Sequence, residues 1–539
     1  MKAVVDLPDT PETPSGPKPE RTRVSFFEPL LMLVSIGLSV LGAIIGMQLI
    51  VSLGISANTS IIGALIAIVF SRIPLAITRR FRVLERQNLV QTSISSATFG
   101  AANSLMIPLG VPFAMGMPEL VTPMMIGSIA AMLVDGAMLY FLFGSKVFPA
   151  TGTWPAGVAT AEAIWAGDQG GRKAAFLGLG VAAGVAGAVM GVPMSAFGAA
   201  FLGNLAALTA FGIGLLTRGY SMPLFNVDLA AAYVPHGLMI GAGLVALFQV
   251  AREIHRSRDS AVDPRNAEMS GTRARRVLSA GFFAYMLVAL LISVLAGHIT
   301  ELSPGMLIAF VFYAAFAAYA HELIVGIAAM HSGWFPAFAV ALITLTIGIV
   351  IGFPPSALAV LAGFSAATGP AFADMGYDLK TGYLLRGEGR DMEAERAGRK
   401  QQLIAAMAGF LVAAVVVIFF HDHFFSRGML PPVDRVYAAS IKAGSSMEIA
   451  TSLALWAIPG ALIQLFGGAK RQLGILLSTG MLIASPLAGW AVLAGLAIRF
   501  VVIRLRGERH SAEMSAFAGG VIAGDALFSF GNSMTRLHK

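Results

Sequence analysis

Asp374 and Asp378 stand four residues apart in the stretch GPAFADMGYDLKTGYLLRGEGRDMEAERAGRK, Gly369–Lys400. On a helix that spacing puts both carboxylates on one face. The stretch follows a strongly apolar segment and precedes another, so a hydrophobic span here turns toward water. An ionisable group at membrane depth is costly and calls for a partner, a water-filled cavity or a functional role. Three readings of the acid pair stand side by side. It can form ion pairs with Lys380 or Arg386 at a cytoplasmic mouth. It can be a gate or coupling site. It can hold Mg²⁺ through water, as in a membrane enzyme acting on lipid diphosphates. The last reading calls for a second acidic motif on another helix, and the sequence has none.

Other polar side chains in apolar surroundings are candidates for substrate binding or coupling. Asn88, Gln91 and Thr92 offer neutral donors and acceptors suited to amide or chelate oxygens, or to interhelical hydrogen bonds. Thr160 and Glu162 lie in a Gly/Pro/Thr-punctuated stretch, Phe148–Gly171, too short in its apolar part to cross. Glu162 can titrate, bind a cationic amine or simply tie the break together. His236 sits beside a proline in an apolar run. His321-Glu322 is a compact acid/base pair, although adjacent residues point to different helix faces. Lys380, Glu448 and Asp525 complete the set. No His/Asp/Glu cluster has metal-ligand spacing, so no resident metal or cofactor is expected. No GxxxxGK[ST] phosphate loop is present, which argues against ATP as the energy source. No nucleophile–base arrangement stands out, and the chain does not read as an enzyme.

The elements that position these residues follow from composition. Of 539 residues, 56% are hydrophobic and only 12% charged. Mean hydropathy is +0.77. Long apolar runs recur from Phe26 to Phe530, which predicts an all-α polytopic membrane protein of about 14–16 transmembrane or re-entrant helices. Abundant glycine (60 residues) suits close helix packing and broken helices. The absence of cysteine excludes disulfides and thiolate chemistry. The net charge of +8 is carried mostly by loops, as positive-inside topology requires, and nucleic-acid binding is not needed to explain it.

Residues 1–25 read as a disordered, Pro-rich cytoplasmic tail rather than a cleaved signal. Residues 26–250 form a first transmembrane half and 277–535 a second. The polar stretch 251–276, with seven Lys/Arg and four acids, is a cytoplasmic linker between them. Within the first half, Asn88–Ser104 is too polar to face lipid, and Pro108, Pro112 and Pro118 are expected to break the chain after it. Pro193–Leu216 and Leu224–Val250 read as spans, the second interrupted at Pro235-His236-Gly237. Within the second half, His321-Glu322 is expected to break Met306–Met330 in two, and Val433–Thr451 reads as re-entrant. An internal repeat is suggested by RKAAFLGLGVAAG at Arg172 and RKQQLIAAMAGFL at Arg399, each following a broken segment. If the repeat holds, the two broken segments meet at a midplane site.

Three motifs then carry a family resemblance. FADMGYDLKTGYLL, Phe372–Leu385, resembles the aspartate-aspartate-leucine-lysine-threonine-glycine-tyrosine signature of the oligopeptide transporter superfamily, in its bacterial branch, and Arg399-Lys400-Gln401 also fits. TWPAGVATAEAIWAGDQGG, Thr153–Gly171, resembles that family's proline-x-glycine … alanine-glutamate segment. RQNLVQTSISSA, Arg86–Ala97, resembles its asparagine/glutamine third helix. The resemblance implies a proton-coupled importer of small peptides or metal–chelate complexes, with many spans and a duplicated architecture, in a bacterial inner membrane. Its partners would be the solute, protons and the lipid bilayer, with homo-oligomer formation left open. The chain departs from the pattern at Arg86, where a glutamate is expected, along Ser95–Thr98, which lacks an acid, at Ala156 and at His236. Substrate and coupling ion are therefore not transferable residue by residue. A Mg-dependent membrane enzyme and a passive channel remain the alternatives. The transporter reading expects Asn88–Ser104, Thr151–Glu162 and Ala366–Asp378 to line one shared chamber.

Overall fold

The computed structural model describes residues 24–54, 59–72, 78–168, 172–202, 204–257, 271–332, 337–468, 471–483, 485–507 and 510–537. Most of the expected tail and the middle of the expected linker lie outside them. Among the described residues the chain is all-helical, without a strand. The first part holds α1 (Pro29–Leu53), α2 (Thr59–Arg72), α3 (Leu84–Phe99), α4 (Ile107–Ala114), α5 (Val121–Leu142), α6 (Pro155–Asp168), α7 (Arg172–Val189), α8 (Met194–Ala199), α9 (Leu205–Phe225) and α10 (Val234–Ser257). After the polar stretch come α11 (Gly271–Leu295), α12 (His298–Glu301), α13 (Pro304–Ser332), α14 (Ala337–Ile351), α15 (Pro355–Ala367) and α16 (Pro370–Leu385). The chain then continues through α17 (Met392–Phe425), α18 (Pro432–Ala443), α19 (Met447–Gly467), α20 (Leu473–Leu482), α21 (Pro486–Arg506) and α22 (Ser511–Leu537).

Nine described helical runs are long and apolar enough to cross a bilayer, and four shorter apolar helices accompany them. Two of the nine are composite. Leu84–Ala114 joins α3 to α4, and Pro355–Leu385 joins α15 to α16. These are also the most buried spans, which explains how they tolerate their polar residues: protein, not lipid, surrounds them.

Several expected breaks are absent, each for a local reason. α3 runs into α4 through a π-helical stretch, Gly100–Met106. Its wider turn makes room for Pro108 at the start of α4, where a missing N–H and a ring would otherwise disturb the ladder, and Pro112 is then carried inside the helix. α13 is continuous through His321 and Glu322 because both side chains are buried among neighbouring helices and compete with no backbone bond of their own helix. Leu224 does not open a span. α9 ends at Phe225, Asn226 caps it in the left-handed conformation, and Pro235 falls in the first turn of α10, where a proline costs nothing. Residues 193–216 are likewise split into short α8 and the start of α9.

The largest core gathers α4, α5, α11, α13, α15, α16 and α17, and a second forms around α8, α9, α21 and α22. Helices distant in sequence pair closely. Gly180 and Gly184 of α7 lie against the α22 backbone, and Gly520 and Gly524 of α22 lie against that of α7, a reciprocal small-residue seam.

Candidate functional site

The acid pair sits at the centre of the first core. α16 begins with Pro370 and buries every residue from Pro370 to Tyr383, so Asp374 and Asp378 do not open toward water. Both are fully buried on one helical face, as their spacing required. α3 supplies their surroundings. Gln91 Nε2 donates to Asp378 Oδ1 at 2.6 Å, and Ser95 Oγ donates to Asp374 Oδ1 at 2.8 Å. Ser96 Oγ reaches Asp378 Oδ2 at 3.5 Å. Ser60 of α2 lies between the two acids, 3.4 Å from Asp374 Oδ1 and 3.5 Å from Asp378 Oδ1, and 3.0 Å from the Ser95 hydroxyl.

A second layer ties this cluster to α17. Gln402 Nε2 donates to the Asp378 backbone carbonyl at 2.6 Å and reaches Thr92 Oγ1 at 3.3 Å and Asn88 Oδ1 at 3.4 Å. Asn88, Gln91 and Thr92 therefore converge with Asp374 and Asp378. Ser60, Ser96 and Gln402 join them without having stood out as candidates. A glutamine in the apolar run after Arg399-Lys400 and a serine opening the second span were the available signals.

The ion pairs considered for Lys380 and Arg386 give way to other partners. Lys380 Nζ donates to the Ala150 carbonyl at 3.0 Å and lies 5.2 Å from the centre of the Tyr383 ring. Arg386 pairs with Glu395 at 2.7 Å, and Arg399 bonds the same carboxylate at 3.1 Å. That buried triad fixes the turn between α16 and α17 and lies apart from the acid pair.

The two broken segments meet directly. Thr381 Oγ1 donates to the Gly157 carbonyl at 3.0 Å. Any Cβ at Gly157 would collide with the Tyr377 carbonyl, so only glycine lets α6 approach α16 this closely. Trp154, fully buried, packs on Tyr377 with ring centres 6.1 Å apart. What α6 brings to the centre is backbone and packing, not charge. Thr160 Oγ1 is spent on the Ala156 carbonyl of its own helix, and Glu162 faces outward, exposed.

The remaining candidates are dispersed. His236 is buried in the first turn of α10, its ring 5.5 Å from that of Tyr233. Glu448 is exposed in the first turn of α19, where a carboxylate complements the helix dipole. Asp525 accepts from the Ser195 backbone N–H at 2.6 Å. It borders a cavity of about 440 Å³ that Gln48, Ser52 and Ser485 also line, apart from the acid pair. His321 and Glu322 belong to a separate buried group with Asp135 and Tyr285. Asn88 and Asp374 thus share one packed polar centre, Glu162 lies outside it, and the described cavity is elsewhere.

Among the described residues no group of three or more His, Asp or Glu side chains has the geometry to hold a metal ion. The chemistry the centre does offer is proton exchange. Serine hydroxyls can donate to an ionised carboxylate or accept from a protonated one. The Oε1 atoms of Gln91 and Gln402 have no hydrogen-bond partner among the described residues, so acceptors are also in reserve. A carboxyl in this setting can change charge without leaving a newly orphaned donor.

An all-helical, multiply spanning scaffold with a buried polar centre defines a polytopic membrane protein. The oligopeptide transporter (OPT) family model matches residues 30–251 and 230–535, and the chain belongs to that family. Its members are transporters of oligopeptides or related solutes, not enzymes. Comparison with curated proteins and with solved structures found no match.

Proposed function

We propose that this transporter is a proton-coupled importer of small peptides or metal–chelate complexes in a bacterial inner membrane, with Asp374 and Asp378 as its coupling acids. The observation that carries the reading is the Asp374–Asp378 pair set among hydroxyls and carboxamides from α2, α3 and α17, which can accommodate either charge state. The meeting of α6 and α16, each preceding an Arg-Lys pair in sequence, supports a two-half organisation with the site at its seam. Solute would enter when α3 and α16 separate and expose this centre to one side of the membrane. Binding energy for the solute would come from Asn88, Gln91, Thr92 and Gln402, which are released from their mutual bonds by that movement.

The test is uptake into proteoliposomes of radiolabelled tripeptides and tetrapeptides, and separately of a ferric chelate, with and without an imposed inward proton gradient. Accumulation above equilibrium should require the gradient, and Asp378→Asn should abolish accumulation while leaving counterflow exchange. Uptake indifferent to the gradient in the wild-type protein would remove proton coupling from the reading.

A further inference from the structure

α15 and α16 form one composite span interrupted at Thr368-Gly369. Gly369 has φ +94°, a conformation open to glycine and costly for other residues. The peptide unit at this break is held from both sides. Its carbonyl, Thr368 O, lies 2.6 Å from His321 Nδ1. Its N–H, on Gly369, donates to Asp135 Oδ2 at 2.6 Å. His321 also places Nε2 2.9 Å from the Ala337 carbonyl. A neutral imidazole can donate only once, so one of these two carbonyls takes the ring's N–H.

Asp135 is fully buried on α5, and its other oxygen accepts from the Tyr285 hydroxyl of α11 at 2.5 Å. Glu322 of α13, also fully buried, faces both Tyr285 and Asp135. Tyr319, on the same helix, lies near Glu322. With His321 across the Thr368–Gly369 peptide, these are the titratable groups that surround Asp135 from α11 and α13. No lysine or arginine pairs with Asp135 or Glu322 among the described residues. Desolvation and mutual repulsion disfavour ionising two neighbouring buried acids together. The bonds from the Tyr285 hydroxyl and the Gly369 N–H favour the carboxylate form of Asp135, so Asp135 is the acid whose protonation is felt at the break.

We propose that Asp135 is a proton-binding latch: as a carboxylate it clamps the Thr368–Gly369 peptide against His321 and fixes α16, and on taking a proton it releases the break. The step forms one O–H bond on Asp135 as one O–H bond of hydronium breaks, leaving a water molecule. It neutralises the acceptor of the Gly369 N–H, and no other covalent bond of the protein changes. The latch controls the helix that carries Asp374 and Asp378, and its place in a transport cycle rests on the importer reading above.

Hydrogen–deuterium exchange of the full-length protein in nanodiscs tests it, followed over residues 369–376 and corrected for chemical exchange across pD. Loss of a charge-assisted bond predicts about tenfold lower protection on the acidic side of one transition. Asp135→Asn should abolish the transition. A merely structural role would lower protection evenly and leave the transition in place. Should Asp135→Asn not fold, Tyr285→Phe removes one donor from the carboxylate and should move the transition to higher pD. Asp378→Asn should leave it unchanged. Protection independent of pD in the wild type, or a wild-type transition in Asp135→Asn or Tyr285→Phe, overturns the latch. A latch transition without gradient-driven uptake leaves the latch standing and removes only the importer reading.

Discussion

Gln91→Leu isolates the bond on which the candidate site depends most. The Gln91 amide and Asp378 carboxylate are 2.6 Å apart, both side chains fully buried, and the other hydroxyls reaching Asp378 stand at 3.5 Å. Leucine nearly conserves the volume, so packing loss contributes little. With Asp378 as the ionised member of the acid pair, a hydrogen bond to it contributes about 1.5–3 kcal/mol, and deleting this donor leaves Asp378 with only long contacts. The expected destabilisation is about 2 kcal/mol. Asp378→Asn keeps the shape and an acceptor for Gln91 but removes the charge, so Gln91→Leu in that background should cost about 1 kcal/mol. The assay is unfolding in mixed micelles, followed by loss of helical circular dichroism, for wild type, both single variants and the double variant. A coupling energy near 1 kcal/mol is the expected result. Equal costs of Gln91→Leu in both backgrounds, within about 0.5 kcal/mol, would show that the bond does not depend on the Asp378 charge and would refute the reasoning.

Other outcomes follow from the same geometry. Glu395→Gln removes the carboxylate that Arg386 and Arg399 share in a buried setting and should cost about 3–5 kcal/mol, seen as a marked drop in thermal stability and in the yield of folded protein. Gly157→Ala drives a methyl into the Tyr377 carbonyl and the Lys380 stem and should destabilise by about 1–3 kcal/mol in the mixed-micelle assay, whereas Gly178→Ala, with open space around it, should be neutral or better. Asp228, in the loop between α9 and α10, has its carboxyl held below the usual range by the Ala231 N–H, then by the Ala230 N–H and the Arg218 guanidinium. A depressed carboxyl contributes stability above its unfolded value and loses it as pH falls through the folded one, so Asp228→Ala should flatten the acid limb of the stability profile below about pH 4 and change little at neutral pH.

Much of the membrane architecture is legible without coordinates because it is set by local composition. Apolar runs of spanning length, with few charges, have no stable place except a bilayer, and no strand competes with them. The helical face shared by Asp374 and Asp378 follows from their spacing alone. The breaks were less legible. Pro108 and Pro112 read as terminators, but a π-helical turn at Gly100–Met106 absorbs them. His321-Glu322 read as an interruption because a charged pair is hydrophilic, yet α13 passes through it once neighbouring helices bury both side chains and the Thr368 and Ala337 carbonyls meet the His321 ring.

What the sequence by itself determined is the class of environment: a multispanning helical chain, a polar third helix that cannot face lipid, and an acid pair on one face of the helix after a break. What the tertiary structure alone decided is which polar groups face one another. Gln91, Ser60 and Gln402 reach Asp374 and Asp378 from three helices, while Glu162, equally suggestive in sequence, points outward. The physical reason is that periodicity fixes a side chain's direction on its own helix. Its partner depends on how helices hundreds of residues apart are packed, and here that packing is set by glycine contacts and single buried hydrogen bonds that no local pattern encodes.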